Sequence, residues 1–287
     1  MFAIIGSAVV LGSLILGFTI AGGKVLALIH VSEIVTIVGI GIGSVIIANP
    51  IFMLKKIASS FFVILRGSSV NKDSYLDLMK MLYELFQYAK REGLIALEPH
   101  IESPETSSII SKYDSFLKNH HAVEFLSDTL KVILSGGIPA HDLEDLMEID
   151  LDGHHAEEET IISSITTLGD AFPGIGIVAA VLGIIVTMSK INEGAEAIGY
   201  SVAAALTGTF LGVLLSYGFV QPLAKNLALT WELESKYMTA LKAALLSFAK
   251  GAPAAVAVEY ARRAIDPEHR PSFSEAEEAV KSTTNAG

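Results

Sequence analysis

The 287-residue chain has no cysteine and little charge. Without a thiol there is no disulfide, no thiolate metal site and no cysteine nucleophile. Charged residues make up 18% of the sequence, where a soluble domain carries roughly a quarter. Basic residues are the minority, and a formal net charge of −11 argues against a nucleic-acid partner, because phosphate binding needs clustered Lys and Arg. No Ser/His/Asp arrangement stands out, and Gly174-Ile175-Gly176 lacks the strand–turn–helix setting of a phosphate loop. An enzyme is therefore the least expected class. The pair His154-His155, beside Glu157 and Glu158, does not suggest a metal site. Adjacent helical residues point about 100° apart and rarely share one ion. No metal and no cofactor is expected.

What fills the sequence instead is apolar. Hydrophobic residues reach 51% and mean hydropathy is +0.53, the composition of an integral membrane protein. Four runs, about 2–21, 33–51, 170–189 and 198–221, are long enough to cross a hydrocarbon core of roughly 30 Å. The first lacks a basic flank and is too long for a cleaved signal, so it is expected to remain as a span. The runs pair into two hairpins, turning at Gly22-Gly23-Lys24 and at Lys190-Ile191-Asn192-Glu193-Gly194. Lys55, Lys56 and Arg66 follow the second run and Lys225, Lys236 and Lys242 the fourth, whereas the turns hold only Lys24 and Lys190. The positive-inside bias then places both termini, the long loop and the tail in the cytoplasm.

The remaining segments read as helix, with no alternating run to support a sheet. In 74–92, Met79, Leu82, Leu85, Phe86 and Ala89 recur at helical spacing, Ser74 with Asp77 suggests a capping box, and Gly93 a stop. A second helix, about 119–134, ends at Gly136-Gly137, and a third starts near Pro139 and continues into the third span. Residues 223–250 prolong the fourth span with Leu227, Trp231, Leu241 and Leu245, and the last dozen residues are expected to be mobile. The expected fold is an all-α integral membrane protein: a first transmembrane hairpin (1–51), a cytoplasmic helical domain (52–169), a second hairpin (170–221) and a helical extension and tail (222–287).

Within the spans, Ala204, Gly208, Gly212 and Ser216 form a small-residue stripe that lets helix backbones approach closely. Gly39 with Gly43, Gly176 with Ala180 and Ala179 with Gly183 suggest similar packing in spans two and three. Beside the stripe runs a row of Ala205, Thr209, Val213 and Tyr217. Thr209 could line a path or simply bond back to its own backbone. Pro173 and Pro222, near the membrane boundary, can each kink or hinge a helix. No span has a carboxylate in its interior, since Glu33 and Asp170 lie at edges. Proton and cation carriers normally need one. If this chain moves ions, another polypeptide must supply it.

The segments Asp170-Ala171-Phe172-Pro173-Gly174-Ile175-Gly176-Ile177-Val178-Ala179-Ala180-Val181-Leu182-Gly183, Gly208-Thr209-Phe210-Leu211-Gly212 and Tyr217-Gly218-Phe219-Val220-Gln221-Pro222-Leu223 resemble the MotA family of flagellar stator subunits. Glu92-Gly93-Leu94, Leu97-Glu98, Val258-Glu259-Tyr260-Ala261-Arg262-Arg263 and Arg270-Pro271-Ser272-Phe273 extend the likeness along the chain. The resemblance implies a homopentamer in the bacterial inner membrane around a MotB-type subunit, whose single span carries the ion-binding aspartate and whose outer domain grips peptidoglycan. Ion flow would drive rotation and so motility and chemotaxis, with the cytoplasmic loop acting on the rotor switch protein. Pro173 and Pro222 match the coupling prolines, and Thr209 the threonine that faces the partner's aspartate; Tyr217 continues its row. Ala180 stands where sodium-driven relatives carry threonine, which implies proton drive. Lys90 replaces the family's usual arginine, Arg91 follows it and can share its role, and Glu98 is the acidic rotor-facing residue. An ExbB/TolQ-like energiser, usually with three spans, and a passive membrane scaffold are the alternatives.

Overall fold

Segments of the chain that avoid water in two different ways fold into two compact units, Met1–Gly67 with Glu157–Thr230, and Ser68–Ala156 with Trp231–Gly287. The computed structural model describes residues 2–189, 192 and 194–284, the side chains of Ala197 and Thr284 excepted. The expected turn at Lys190-Ile191-Asn192-Glu193-Gly194 falls largely outside the described residues. In chain order the helices are α1 (Phe2–Ile20), α2 (Val31–Ala48), α3 (Ile51–Arg66), α4 (Lys72–Glu92), α5 (Glu98–Glu102) and α6 (Asp114–Leu117), followed by α7 (His120–Ser135), α8 (Ala140–Ser189), α9 (Ala195–Val213), α10 (Gln221–Ala249), α11 (Ala254–Ala264) and α12 (Phe273–Thr284). A π-helical stretch, Leu214–Val220, joins α9 to α10. Four helical segments are long and apolar enough to cross a membrane, and no strand occurs among the described residues.

In the membrane unit α1 has no buried residue, as befits a helix whose wetting medium is lipid. It touches the fourth span through Val10, whose Cγ1 lies 3.4 Å from where a Cβ on Gly218 would stand. A short 3-10 turn, Val25–Leu28, leads into α2. Span two was expected to pack through Gly39 and Gly43, but both face open space. Gly41 makes the contact instead: a Cβ there would meet the Phe172 ring at 3.0 Å, and Ile37, Phe172, Ile175 and Ala179 form a small buried cluster. α3, after the break at Asn49-Pro50, is amphipathic; Met53, Ile57, Ser60 and Ile64 are buried, while Phe52, Phe61, Phe62 and Leu65 are exposed. Lys56 pairs with Glu157, and the Ser164 hydroxyl donates to Asn49 Oδ1 at 2.9 Å.

The other unit is held by an ordinary hydrophobic core. Leu78, Met79, Leu82, Leu85 and Phe86 of α4 are buried against residues of α7, α10 and α11, with Phe86 and Phe248 stacked at 4.2 Å. Each such side chain contributes about 1.5–3 kcal/mol on leaving water. The α4 cap differs from the expected one. Asn71, not Ser74, is the N-cap; its side chain accepts from Ser74 N at 2.9 Å, and Ser74 Oγ accepts from Asn71 N at 2.9 Å. Gly93 (φ +95) ends α4, and Gly136 (φ +71) follows α7. Of the last dozen residues, expected to be mobile, 276–284 belong to helix α12, and 285–287 lie outside the described residues. Ser272 and Glu275 cap α12 reciprocally, and Lys72 reaches Glu275 at 2.6 Å. Arg262 grips Glu259 with two hydrogen bonds, donates to the Pro271 carbonyl and lies over Phe273, so the Glu-Tyr-Ala-Arg-Arg and Arg-Pro-Ser-Phe segments are one structural clasp. The His154 ring lies 3.6 Å from that of His121.

Candidate functional site

The third and fourth spans meet where side chains almost vanish. Ala204, Gly208, Gly212 and Ser216 are all buried. A Cβ added to Gly212 would stand 2.5 Å from the Phe172 carbonyl oxygen and 2.8 Å from Gly176 Cα. One added to Gly176 would stand 2.8 Å from the Gly208 oxygen, and Gly183 abuts Ala205 in the same way. Backbone thus packs on backbone, the contact by which helices associate in lipid.

Beside this seam stand the residues singled out for an ion path. The Ala180 backbone nitrogen is 3.2 Å from the Cβ position of Gly208, and Thr209 is the next residue on α9, so both flank the same crossing. The back-bonding threonine is Thr207, whose hydroxyl donates to the Ala203 carbonyl at 2.9 Å. The Thr209 hydroxyl makes no hydrogen bond among the described residues, and the residue is half-buried. Along its row exposure grows from buried Ala205 to Tyr217, which is 62% exposed. The row leaves the seam and faces outward.

The two prolines behave differently. Pro173 sits inside α8, which continues through it for 50 residues without interruption. It cannot donate to the Gly169 carbonyl. Pro222 follows the π-helical stretch. Its ring would crowd the Gly218 carbonyl in regular α geometry, and a widened turn relieves such a clash. Pro222 therefore stands at a change of helical winding. Between the prolines lies a contact that sequence reasoning did not single out. The Gln221 side-chain amide donates to Asp170 Oδ1 at 2.7 Å and approaches buried Ser216 Oγ at 3.4 Å. Gln221 Cγ occupies the space a Cβ on Gly169 would need, 2.9 Å away. The signal was the placement of Asp170 three residues before one proline and of Gln221 immediately before the other.

In the second unit, Gly93 turns the chain from α4 into a 3-10 helix, Leu94–Leu97, and on to α5. Lys90, Arg91 and Glu98 are exposed around this turn. Lys90 and Glu98 form no ion pair among the described residues, whereas Arg91 Nε donates to Glu92 Oε1 at 2.8 Å. Such an exposed pair is worth about 0–1 kcal/mol and leaves Arg91 available. Leu97 and Ile101 anchor the turn in the core. His100 is buried beside Tyr88, with Nδ1 2.7 Å from Ser107 Oγ, and burial pushes its imidazole below the ordinary value of 6.5. No group of three or more His, Asp or Glu able to hold a metal occurs among the described residues.

The sequence and the fold are similar to those of known proteins. Residues 4–93 match the model for Motility protein A N-terminal, and residues 117–240 that for the MotA/TolQ/ExbB proton channel family. The sequence is 36% identical to Motility protein A of Escherichia coli (strain K12) over 285 residues, covering 99% of this chain and 97% of that protein. It is 33% identical to chemotaxis protein LafT of Vibrio parahaemolyticus, covering 91% and 92%. The fold is similar to a structure of C. jejuni MotAB (TM-score 0.77, 21% identity, covering 94% and 98%). It is also similar to the flagellar MotAB stator complex from Bacillus subtilis (TM-score 0.71, 25% identity, covering 90% and 92%).

Proposed function

The chain belongs to the motility protein A family, and from that premise we propose that it is a flagellar motor stator subunit of the bacterial inner membrane, coupling proton flow to torque on the rotor. The observation that carries this reading is the seam of α8 and α9, which is packed backbone to backbone yet flanked by Ala180 and the unbonded Thr209. The interior of each span lacks a carboxylate, so the ion-binding group comes from a MotB-type partner whose single span carries an aspartate and whose outer domain holds peptidoglycan. Several copies of this chain, a pentamer by the family pattern, surround that partner. Ala180, Thr209 and Tyr217 line its path. With no hydroxyl at Ala180 to help replace the water of a dehydrated cation, protons are carried and sodium is not. Each proton crossing releases about 2.3 kcal/mol per 100 mV of membrane potential.

Movement enters through the base of the hairpin. Pro173 weakens α8 by one hydrogen bond, Pro222 adjoins a widened turn, and Gln221 bridges the two through Asp170. A change of charge on the partner's aspartate alters the field at this junction and shifts its winding. Both termini, the domain from 52 to 169 and the tail from 222 lie in the cytoplasm. There Lys90 and Glu98, without an ion pair among the described residues, meet the rotor switch protein with Arg91 through complementary charge. Deleting the gene should leave cells with intact flagella that do not turn. The restored motor should keep full speed in sodium-free buffer and stall with a protonophore. Sodium-dependent speed would overturn the assignment of the ion, and normal swimming after deletion would overturn the stator role.

A further inference from the structure

At the end of the membrane unit where α1 turns into α2, the structure has an open pocket of about 450 Å³. His30, Ser32, Glu33 and Thr36 line one side and Tyr200 and Ser201 of α9 another, while α8 supplies only aliphatic residues. Among the described residues, the titratable groups facing it are therefore His30, Glu33 and Tyr200. Glu33 is 5% exposed, accepts from the Ser32 hydroxyl at 2.6 Å, and has no cationic partner among the described residues. His30 is 6% exposed, its ring packs edge-on to Tyr200 at 5.3 Å without a side-chain hydrogen bond among the described residues, and it lines the pocket.

A carboxylate in the first turn of α2 gains from the positive end of the helix dipole. That accounts for Glu33 alone. It does not account for a polar-floored pocket at the mouth of a membrane span, nor for an unbonded imidazole beside it, since such groups are costly in apolar surroundings and persist where they meet a ligand. Nitrogen and carboxylate donors from His30 and Glu33 alone are too few to hold a metal ion firmly. They suffice to hold a proton.

We propose that Glu33 and His30 form a proton-collecting vestibule at the outer mouth of the chain, where a proton from the external water rests on a Glu33 carboxylate oxygen or a His30 ring nitrogen before entering the deeper path. This rests on the stator reading and on the orientation given above, which puts the turn between α1 and α2 outside. The site supplies protons and does not replace the partner's aspartate.

The test is swimming speed against external pH in the organism's own deletion strain, complemented with variants whose membrane level is matched by immunoblot. Glu33→Gln keeps the acceptor for Ser32 but cannot release a proton. It should move the external pH for half-maximal speed towards acid by about one unit, the scale of losing one charge at a buried site. His30→Gln should move it the same way, and Glu33→Asp should restore it. Wild-type profiles for both Gln variants, or a uniform slowing at every pH, would overturn the proposal. If the Gln variants do not accumulate, the unmutated chain in membranes is treated with dicyclohexylcarbodiimide, which attacks protonated carboxyls. Glu33 should be modified in acid and protected in alkali, and a Glu33 unmodified at every pH overturns the proposal. Failure of the stator reading looks different: the wild-type gene would not restore swimming, while the carbodiimide result would still report on Glu33.

Discussion

The two units solve the same packing problem with opposite residues. In the unit of Ser68–Ala156 and Trp231–Gly287, the most completely buried side chains are large, among them Tyr75, Phe86, Phe116 and Phe125. In the membrane unit the large side chains, such as Phe2, Leu16, Ile47 and Ile185, point outward, and the buried seam is built from Gly176, Gly208 and Gly212. The contrast follows from the medium. Water drives large apolar side chains together, but lipid gives a leucine no reason to leave it, so only close contact between backbones favours association there. A methyl group is accordingly the stabilising element in one unit and the obstacle in the other.

That contrast can be broken most sharply by removing bulk from the water-facing unit. Leu82→Ala should cost about 2–5 kcal/mol through the cavity it leaves, seen as a lower melting temperature of the purified chain while membrane insertion persists. A loss under one kcal/mol would mean that the core of this unit repacks freely. Adding bulk to the seam is next. Gly212→Ala puts a methyl against the Phe172 carbonyl and should cost about 1–3 kcal/mol, with swimming lost even where protein remains in the membrane. If Gly212→Ala swims normally, the two spans do not need backbone contact. Gln221→Leu removes the bond to Asp170, a loss of about 1.5–3 kcal/mol at most and less at this exposed site. Torque under load should fall more than the amount of assembled protein.

The fourth test concerns acid. Burial lowers the His100 value in the folded chain from 6.5. The unfolded state therefore binds the extra proton first, so stability is complete above 6.5 and declines as pH falls through the lowered folded value. Hydrogen exchange in 98–110, corrected for its intrinsic rate, should quicken on acidification, and His100→Gln should flatten that dependence. The smallest stability effect belongs to the surface. Glu98→Lys, or Lys90→Glu with Arg91→Glu, should alter melting by roughly 0–1 kcal/mol yet impair swimming, and tolerance of all three reversals would move the rotor contact elsewhere.

How much of this was legible in the sequence depended on whether its cause was local. Span positions, the continuity of α8 and the stops at Gly93 and Gly136 follow from residues close to one another in the chain, and the helices ended where glycine could take a positive φ. The small-residue stripe was legible too, because four-residue spacing maps onto one helix face. Contacts between distant segments were not. Gly41 is no different from Gly39 or Gly43 until Phe172 arrives beside it. The polar last dozen residues suggested a mobile tail, because the helix that 276–284 continue is tied to Lys72 and to the Arg262 clasp, neither of them nearby in sequence. For the candidate site, Pro173, Ala180, Thr209 and Pro222 came from a family pattern. Gln221 and the pocket at Glu33 needed three dimensions, since nothing local tells a bridging glutamine from a solvated one.

The π-helical stretch at Leu214–Val220 also acts as a phase marker. A widened turn absorbs one residue that regular winding would place on the next step, so the helical residues after it keep the facing they would have without it. Deleting a single residue there would let the stretch close into ordinary α-helix with that facing kept, whereas deleting one from the regular helix on either side would rotate everything downstream by about 100°. Chimaeras that join the membrane half of one relative to the cytoplasmic half of another therefore tolerate a one-residue difference in count across 214–220 and nowhere else along the joined helix.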